Sequence, residues 1–188
     1  MWKAVWVCAT LALLISTPPA IAQSRVAYAA AATKNLAPAP DTFLNWFTGT
    51  LSIGTGGPGG AADFEYIGTG APSGFRFPHS PKVLLHANQA YTFSMWCDAS
   101  QTSGRAPFIG FYTPDVQTKL AFVEIPVGSA SGRFSVSYTP PTDIEVVLLA
   151  DTSNSVVASG KLLRFSRPKL ELGSVATPYQ AVPLTKPT

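Results

Sequence analysis

The stretch Ala90-Tyr-Thr-Phe-Ser-Met-Trp-Cys-Asp98 decides the fold class. Side chains of a strand alternate between two faces, so Tyr91, Phe93, Met95 and Cys97 share one face and Thr92, Ser94, Trp96 and Asp98 the other. The first set is an apolar stripe that belongs in a core, which buries Cys97 and leaves Trp96 among polar neighbours. Phe134-Ser-Val-Ser-Tyr138 alternates in the same way and is closed by Thr139-Pro-Pro141. Asp143-Ile-Glu-Val-Val-Leu-Leu-Ala150 begins alternating and ends apolar on both faces, as a central strand does. Phe108-Ile-Gly-Phe-Tyr112, Leu120–Ile125 and Leu162–Phe165 add three more, with weaker signals at Gly49–Ile53, Phe64–Ile67 and Lys82–Leu85. From Asp41 onward no twelve-residue window keeps the helical period without meeting Gly or Pro. The expectation is an all-β, two-sheet antiparallel sandwich of jelly-roll type with eight or nine strands.

The composition agrees with a packed domain. Of 188 residues, 46% are hydrophobic, 11% aromatic and only 12% charged, which excludes a disordered chain. Thirteen Lys and Arg against ten Asp and Glu give +3, too small and too scattered for a nucleic-acid partner. Two Cys exclude a disulfide framework and a cysteine zinc site.

The N-terminus reads as an address. Lys3 precedes an apolar run from Ala4 to Ile15, Pro18-Pro19 breaks it, and Ala20-Ile21-Ala22 is a small-x-small cleavage signal. Twelve residues of helix reach about 18 Å, short of the ~30 Å of a bilayer core, so a secretory signal peptide over 1–22 is expected and not a membrane span. That places the mature chain outside the cell, in the periplasm or on a cell surface, with Cys97 as its one thiol. Residues 23–34 are Ala-rich and read as a linker or arm, 35–181 as the binding module, and 182–188 as a tail containing Pro183 and Pro187.

Catalytic patterns are sparse. No Gly-x-Ser-x-Gly occurs, and Ser166-Arg-Pro-Lys169 spells Ser-x-x-Lys with Pro168 where the motif needs helix. His79 lies between prolines and His86 ends an apolar run, a spacing that suits no standard metal motif. Gly54-Thr-Gly-Gly-Pro-Gly-Gly60 lacks the Lys-Ser/Thr of a phosphate loop and reads as a plain loop. The acidic residues supply carboxylates, but no spacing selects a glycosidase pair.

Two stretches at opposite ends of the domain carry a resemblance. Lys34-Asn-Leu-Ala-Pro-Ala-Pro-Asp-Thr-Phe-Leu-Asn-Trp46 resembles the opening of carbohydrate-binding-module-like jelly rolls of the galactose-binding-like and cellulose- or xylan-binding type. Arg167-Pro-Lys-Leu-Glu-Leu-Gly-Ser-Val-Ala-Thr-Pro-Tyr179 is similar to the closing signature of such domains in phage tail and other surface proteins. Asn88–Trp96 resembles the family's strand after a turn. The resemblance implies that Leu170 and Leu172 pack, that Gly173 turns the chain, and that Thr177-Pro178-Tyr179 lies back along the sandwich. Many sugar-binding members hold a structural calcium through an acidic pair in the last strand. Here the equivalent stretch, Ser166 to Lys169, is cationic, which counts against calcium, and no cofactor is expected.

The implied function is non-catalytic recognition of a glycan or polysaccharide through an aromatic-bearing sheet face. Sugar rings stack on Trp or Tyr while nearby polar groups fix the hydroxyls. The candidates are Trp96 with Thr92, Ser94 and Asp98 on its own face, then Phe111 or Tyr112 and Trp46, with Arg105 and Gln101 in the adjoining loop. Two readings stay open for Trp96: an exposed sugar platform, or a residue covered by a second layer. The alternative function is a structural or adhesive subunit whose N-terminal arm adds to a neighbour's sheet edge. A hydrolase, esterase or lyase on the same fold is the third.

Overall fold

The computed structural model describes residues 34–38, 43–45, 51–54, 63–75, 78–129 and 131–179. The expected signal peptide, the Ala-rich arm to residue 33, most of the Gly-rich loop, Trp46 and the C-terminal tail from residue 180 lie outside them. Among the described residues there are strands and no helix. They run β1 (Leu44–Asn45), β2 (Leu51–Gly54), β3 (Asp63–Ile67), β4 (Pro78–His79), β5 (Val83–Leu85), β6 (Tyr91–Asp98), β7 (Thr102–Ser103), β8 (Phe108–Tyr112), β9 (Lys119–Glu124), β10 (Gly132–Tyr138), β11 (Ile144–Asp151), β12 (Val156–Val157) and β13 (Leu162–Leu172). Setting aside the four two-residue strands, these match the nine expected segments.

The strands form a two-sheet antiparallel β-sandwich. One sheet has the order β1-β4-β11-β8-β9, with β5 pairing the first half of β11; the other has the order β10-β6-β13-β3-β2. A short β7–β12 ladder stands apart. The apolar parity of β6 does face inward, with Phe93, Met95 and Cys97 fully buried. They pack with Leu163, Phe165 and Leu170 of β13, Phe64 and Tyr66 of β3, Ile109 and Phe111 of β8, and Val146 and Leu148 of β11. The Phe93 and Phe111 rings meet edge to face, 6.0 Å apart, across the sheet interface. Cys97 is a free, buried thiol, and burial together with the neighbouring Asp98 carboxylate pushes its pKa up.

Strand β13 departs from expectation. The sequence signal for it covers Leu162–Phe165, yet the strand continues to Leu172, past Pro168, which cannot donate to a ladder. A bulge between Ser166 and Lys169 absorbs the proline, with Arg167 in the left-handed region at φ 53°. The opening Asn-Leu pair completes the bulge. Asn35 Nδ2 donates to Pro168 O (3.0 Å), Asn35 Oδ1 accepts from Leu170 N–H (3.0 Å), and Leu36 N–H donates to Leu170 O (2.7 Å). The two end segments that carry the resemblance therefore meet each other. Leu170 is buried as expected, but Leu172 is 46% exposed and does not pack, because it follows the strand past the edge of the core. Gly173 turns the chain at φ 104°.

Candidate functional site

Strand β8 reads Phe-Ile-Gly-Phe-Tyr, aromatic on both parities. Ile109 and Phe111 point into the core, so Phe108, Gly110 and Tyr112 face outward. Across the register, Val147 stands beside Tyr112, Leu149 beside Gly110 and Asp151 beside Phe108. On the other side β9 sets Phe122 beside Gly110 and Lys119 beside Tyr112. The outer face of this sheet is consequently apolar as well. Phe108, Tyr112, Val147 and Leu149 form a second buried cluster with Val116 packed against it.

Two loops raise walls around this face. Between β8 and β9 the turn closes with Thr113 N–H to Thr118 O (3.0 Å), and Asp115 Oδ1 accepts from Gln117 N–H (3.1 Å), placing Val116 and Gln117 beside Tyr112. On the opposite side, Asn154 N–H donates to Gly74 O (2.8 Å) and Gly74 N–H to Asn154 Oδ1 (3.0 Å), which seats Phe75 near Ser153. The result is a groove of about 410 Å³ lined by Phe75, Arg105, Phe108, Tyr112, Val116, Gln117, Lys119, Leu149, Asp151 and Ser153.

Its chemistry is amphipathic. The Phe108 and Tyr112 rings are parallel within 10° at 6.1 Å, and Phe122 meets Phe108 edge-on at 5.8 Å. The Lys119 ammonium sits 3.9 Å from the Phe108 centroid and 4.5 Å from that of Phe122, a cation held on aromatic faces. Phe75 and the neighbouring Phe122 are the exposed rings, at 52% and 45%. Asp151 is buried, and its Oδ1 accepts from Ser153 N–H (2.7 Å). Burial pushes its pKa up to about 6, against the opposing pull of the Ser153 N–H, Lys119 and Arg105. Burial and the Asp151 charge also raise the Tyr112 hydroxyl, which stays protonated.

Of the residues expected to bind, Tyr112 and Arg105 line this groove. Phe111, expected as a ligand contact, is a core residue with no exposure, because its parity on β8 points between the sheets. Gln101 is exposed in the turn before β7, outside the groove lining. Trp96, Thr92, Ser94 and Asp98 belong to the other sheet, on its outer face. There the segment after Gly173 folds back: Thr92 Oγ1 donates to Gly173 O (2.7 Å), and Ser137 Oγ donates to Ser174 O (3.0 Å). Thr92 and Ser94 are buried beneath this layer, so their hydroxyls serve protein contacts rather than a ligand. Trp96 and Asp98 are half-buried at its margin.

Deeper under that layer, Lys169 and Glu171 form a fully buried ion pair, Nζ to Oε2 3.0 Å. The Lys169 ammonium also donates to Thr177 Oγ1, Thr177 O and Pro178 O, and Thr177 N–H donates to Glu171 Oε1 (2.8 Å). Lys169, in the stretch that the resemblance sets against the acidic pair, thus holds its charge in an ion pair inside the protein. Among the described residues no group of three or more His, Cys, Asp and Glu gathers. Phe75, Phe108, Lys119 and Asp151 were not anticipated. The signal that could have found Phe108 is its shared parity with Tyr112 across Gly110.

No protein-family model and no curated protein matches the sequence. Solved structures do resemble the fold. An arabinose-bound GH51 α-L-arabinofuranosidase aligns with TM-score 0.52 at 13% identity over 76% of this chain, which spans 25% of that enzyme. A CBM4 structure aligns with TM-score 0.49 at 15% identity, covering 71% of this chain and 88% of that one. The CBM22-1–GH10 modules of a Clostridium thermocellum endo-1,4-β-D-xylanase, complexed with xylohexaose, align with TM-score 0.47 at 17% identity over 80% of this chain and 30% of that one. At 13% identity, the likeness to the arabinofuranosidase agrees with the all-β sandwich fold and speaks to the fold alone.

Proposed function

We propose that this chain is an exported, non-catalytic carbohydrate-binding module and that its glycan lies in the groove on the outer face of β8, β9 and β11. The observation that carries the reading is the groove itself: aromatic side chains surrounded by hydrogen-bonding groups on a sheet face that a sandwich has no structural need to make apolar. Phe75 and Phe122 offer ring faces to sugar C–H groups. Asp151, the Tyr112 hydroxyl, Gln117, Arg105 and Lys119 suit sugar hydroxyls. Among the described residues the lining holds one carboxyl group, Asp151, whereas hydrolysis of a glycosidic bond by the usual route takes two, which supports binding without catalysis. Export rests on the reading of residues 1–22, and N-terminal sequencing of secreted protein should begin at Gln23.

The test is affinity electrophoresis and calorimetry of residues 23–188 against soluble and insoluble polysaccharides. Phe75→Ala, at an exposed position, should weaken binding about tenfold or more with an unchanged Tm. Trp96→Ala, on the opposite sheet, should leave affinity unchanged. Loss of binding in Trp96→Ala alone would move the site to the other sheet. No binding by the wild-type chain to any glycan would favour an assembly role for the fold.

A further inference from the structure

The turn between β8 and β9, one wall of the groove, carries a backbone feature that its hydrogen bonds do not require. Among the described residues, five that are not glycine hold a positive φ: Asn88, Val116, Ser153, Asn154 and Arg167. Three of them stand at the groove. Val116 and Ser153 line it, and Asn154 holds the loop that seats Phe75. Val116, at φ 60°, is the one with a β-branched side chain, for which the left-handed region is an outlier. Elsewhere in the described chain, left-handed positions are filled by Gly70, Gly74, Gly104, Gly128, Gly160 and Gly173, which adopt them without a steric penalty.

The turn fixes this conformation from both sides. Val116 N–H donates to Thr113 O (2.8 Å), Thr118 N–H donates to Thr113 Oγ1 (3.0 Å), and Asp115 Oδ1 accepts from Gln117 N–H (3.1 Å). None of these bonds uses the side chain of residue 116, so glycine would keep them all and take φ 60° without a Cβ clash. What valine adds is its side chain. It packs against the cluster of Phe108, Tyr112, Val147 and Leu149, and it is only half-buried there. It also forms part of the groove wall. A half-buried branch at a rim returns little packing for a strained backbone, and strain held at such a place points to a role in binding.

We propose that Val116 is a specificity-determining residue of the groove, held in the left-handed region so that its branched side chain makes a fixed wall beside Tyr112 for one sugar ring. The proposal rests on the reading of the groove as a glycan site. Its physical advantage is preorganisation. A β-branched side chain is stiff at χ1, so the wall loses little freedom when the C–H face of a ring settles against it. The same stiffness makes the wall selective, because it does not swing aside for a ring that carries a branch at that point. An unbranched main-chain sugar fits, and a substituted one meets the valine methyls.

The test compares residues 23–188 of the wild type with Val116→Gly, Val116→Ala and Val116→Ile by thermal melting and calorimetry. The probes are three linear glycans with branched counterparts: xylan and arabinoxylan, mannan and galactomannan, cellohexaose and a xyloglucan oligosaccharide. Wild type should favour the linear member of the pair that it binds. Val116→Gly should raise Tm by about 2–4 °C, weaken binding of the linear glycan about tenfold and lose the preference. Val116→Ala keeps the strain and should lose affinity with no gain in Tm. Val116→Ile keeps a branched wall and should retain both affinity and preference. A fall in Tm for Val116→Gly overturns the inference, because the side chain would then be held for packing alone. So does a wild type indifferent to branching, or a rise in Tm for Val116→Gly with affinity and preference unchanged. In those last two outcomes Phe75→Ala still weakens binding, and the reading of the groove stands. Absence of wild-type binding to all six probes removes that reading, and this inference with it.

Discussion

Asp151 is a carboxyl group buried at the end of an apolar strand. A carboxyl group that titrates near 6 when folded and near 3.8 in an ordinary setting binds more protons in the folded state across that window. Its contribution to stability therefore falls as pH rises from about 4 to about 6, and the whole penalty is present above that range. Two pH units correspond to roughly 3 kcal/mol as an upper figure. Asp151→Asn keeps an acceptor for the Ser153 N–H and removes the titration. The variant should gain about 1–3 kcal/mol over wild type at pH 7.5 and little at pH 4.5, as measured by urea unfolding. An equal difference at both pH values would reject the assignment. Nothing in Asp143–Ala150 announces this, since the residue reads as the polar end of an apolar strand. Trp96 shows the converse. Its polar parity on β6 fits either solvent or a covering layer, and the segment that folds over the nearby Thr92 joins it from 81 residues further along the chain, of which alternation within one strand carries no trace.

Strands are legible in the sequence where they pair along regular parity, as in β6, β10 and β11, because a single buried face imposes the alternation. The full length of β13 is not legible, because its decisive partner is remote. Pro168 ends a strand by any local rule, and the strand survives because Asn35 answers the bulge's free backbone groups. Asn35→Ala should leave Leu170 N–H and Pro168 C=O without that partner and cost about 1–3 kcal/mol in chemical denaturation. Asn35→Asp, which keeps the acceptor and loses the donor, should fall between. If both variants match wild type, the bulge does not depend on Asn35. Strand β8 poses a different limit: with aromatics on both parities, its sequence does not say which ring faces the core, so Phe111 and Tyr112 were interchangeable on paper. Gly110 sets the spacing there. A Cβ at this position would lie 2.5 Å from Ala121 O and 2.9 Å from Phe122 Cβ. Gly110→Ala should push β9 outward, cost about 1–3 kcal/mol and weaken groove binding by displacing Lys119 and Phe122. Retained stability together with retained binding would show that β9 does not need this approach.

For the whole molecule, the closing arrangement joins the two ends of the domain over one sheet and leaves the groove on the other. Residues 35–37 lie along β13, and the segment after Gly173 covers β6 and β10 and completes the polar partners of Lys169 and Glu171. The end motifs were legible as signatures, yet their job was not, since it consists of contacts between segments about 130 residues apart. This separation of roles makes a molecular prediction. Deleting residues 174–188 strips Thr177 from the buried ion pair and opens it to water, so stability should fall by about 1–3 kcal/mol and amide exchange should rise in β6, β10 and β13. The groove is built by β8, β9, β11 and their loops, which this segment does not touch in the contacts described. Glycan affinity of the folded, truncated protein should therefore stay within about 0.5 kcal/mol of wild type, as expected for sites without shared partners. A truncation that abolished binding while the fold persisted would mean that the two faces communicate through the core, or that the glycan reaches across to the covered sheet. Hydrogen exchange on the truncated chain separates these outcomes, because communication through the core would raise exchange in β8 and β11 as well.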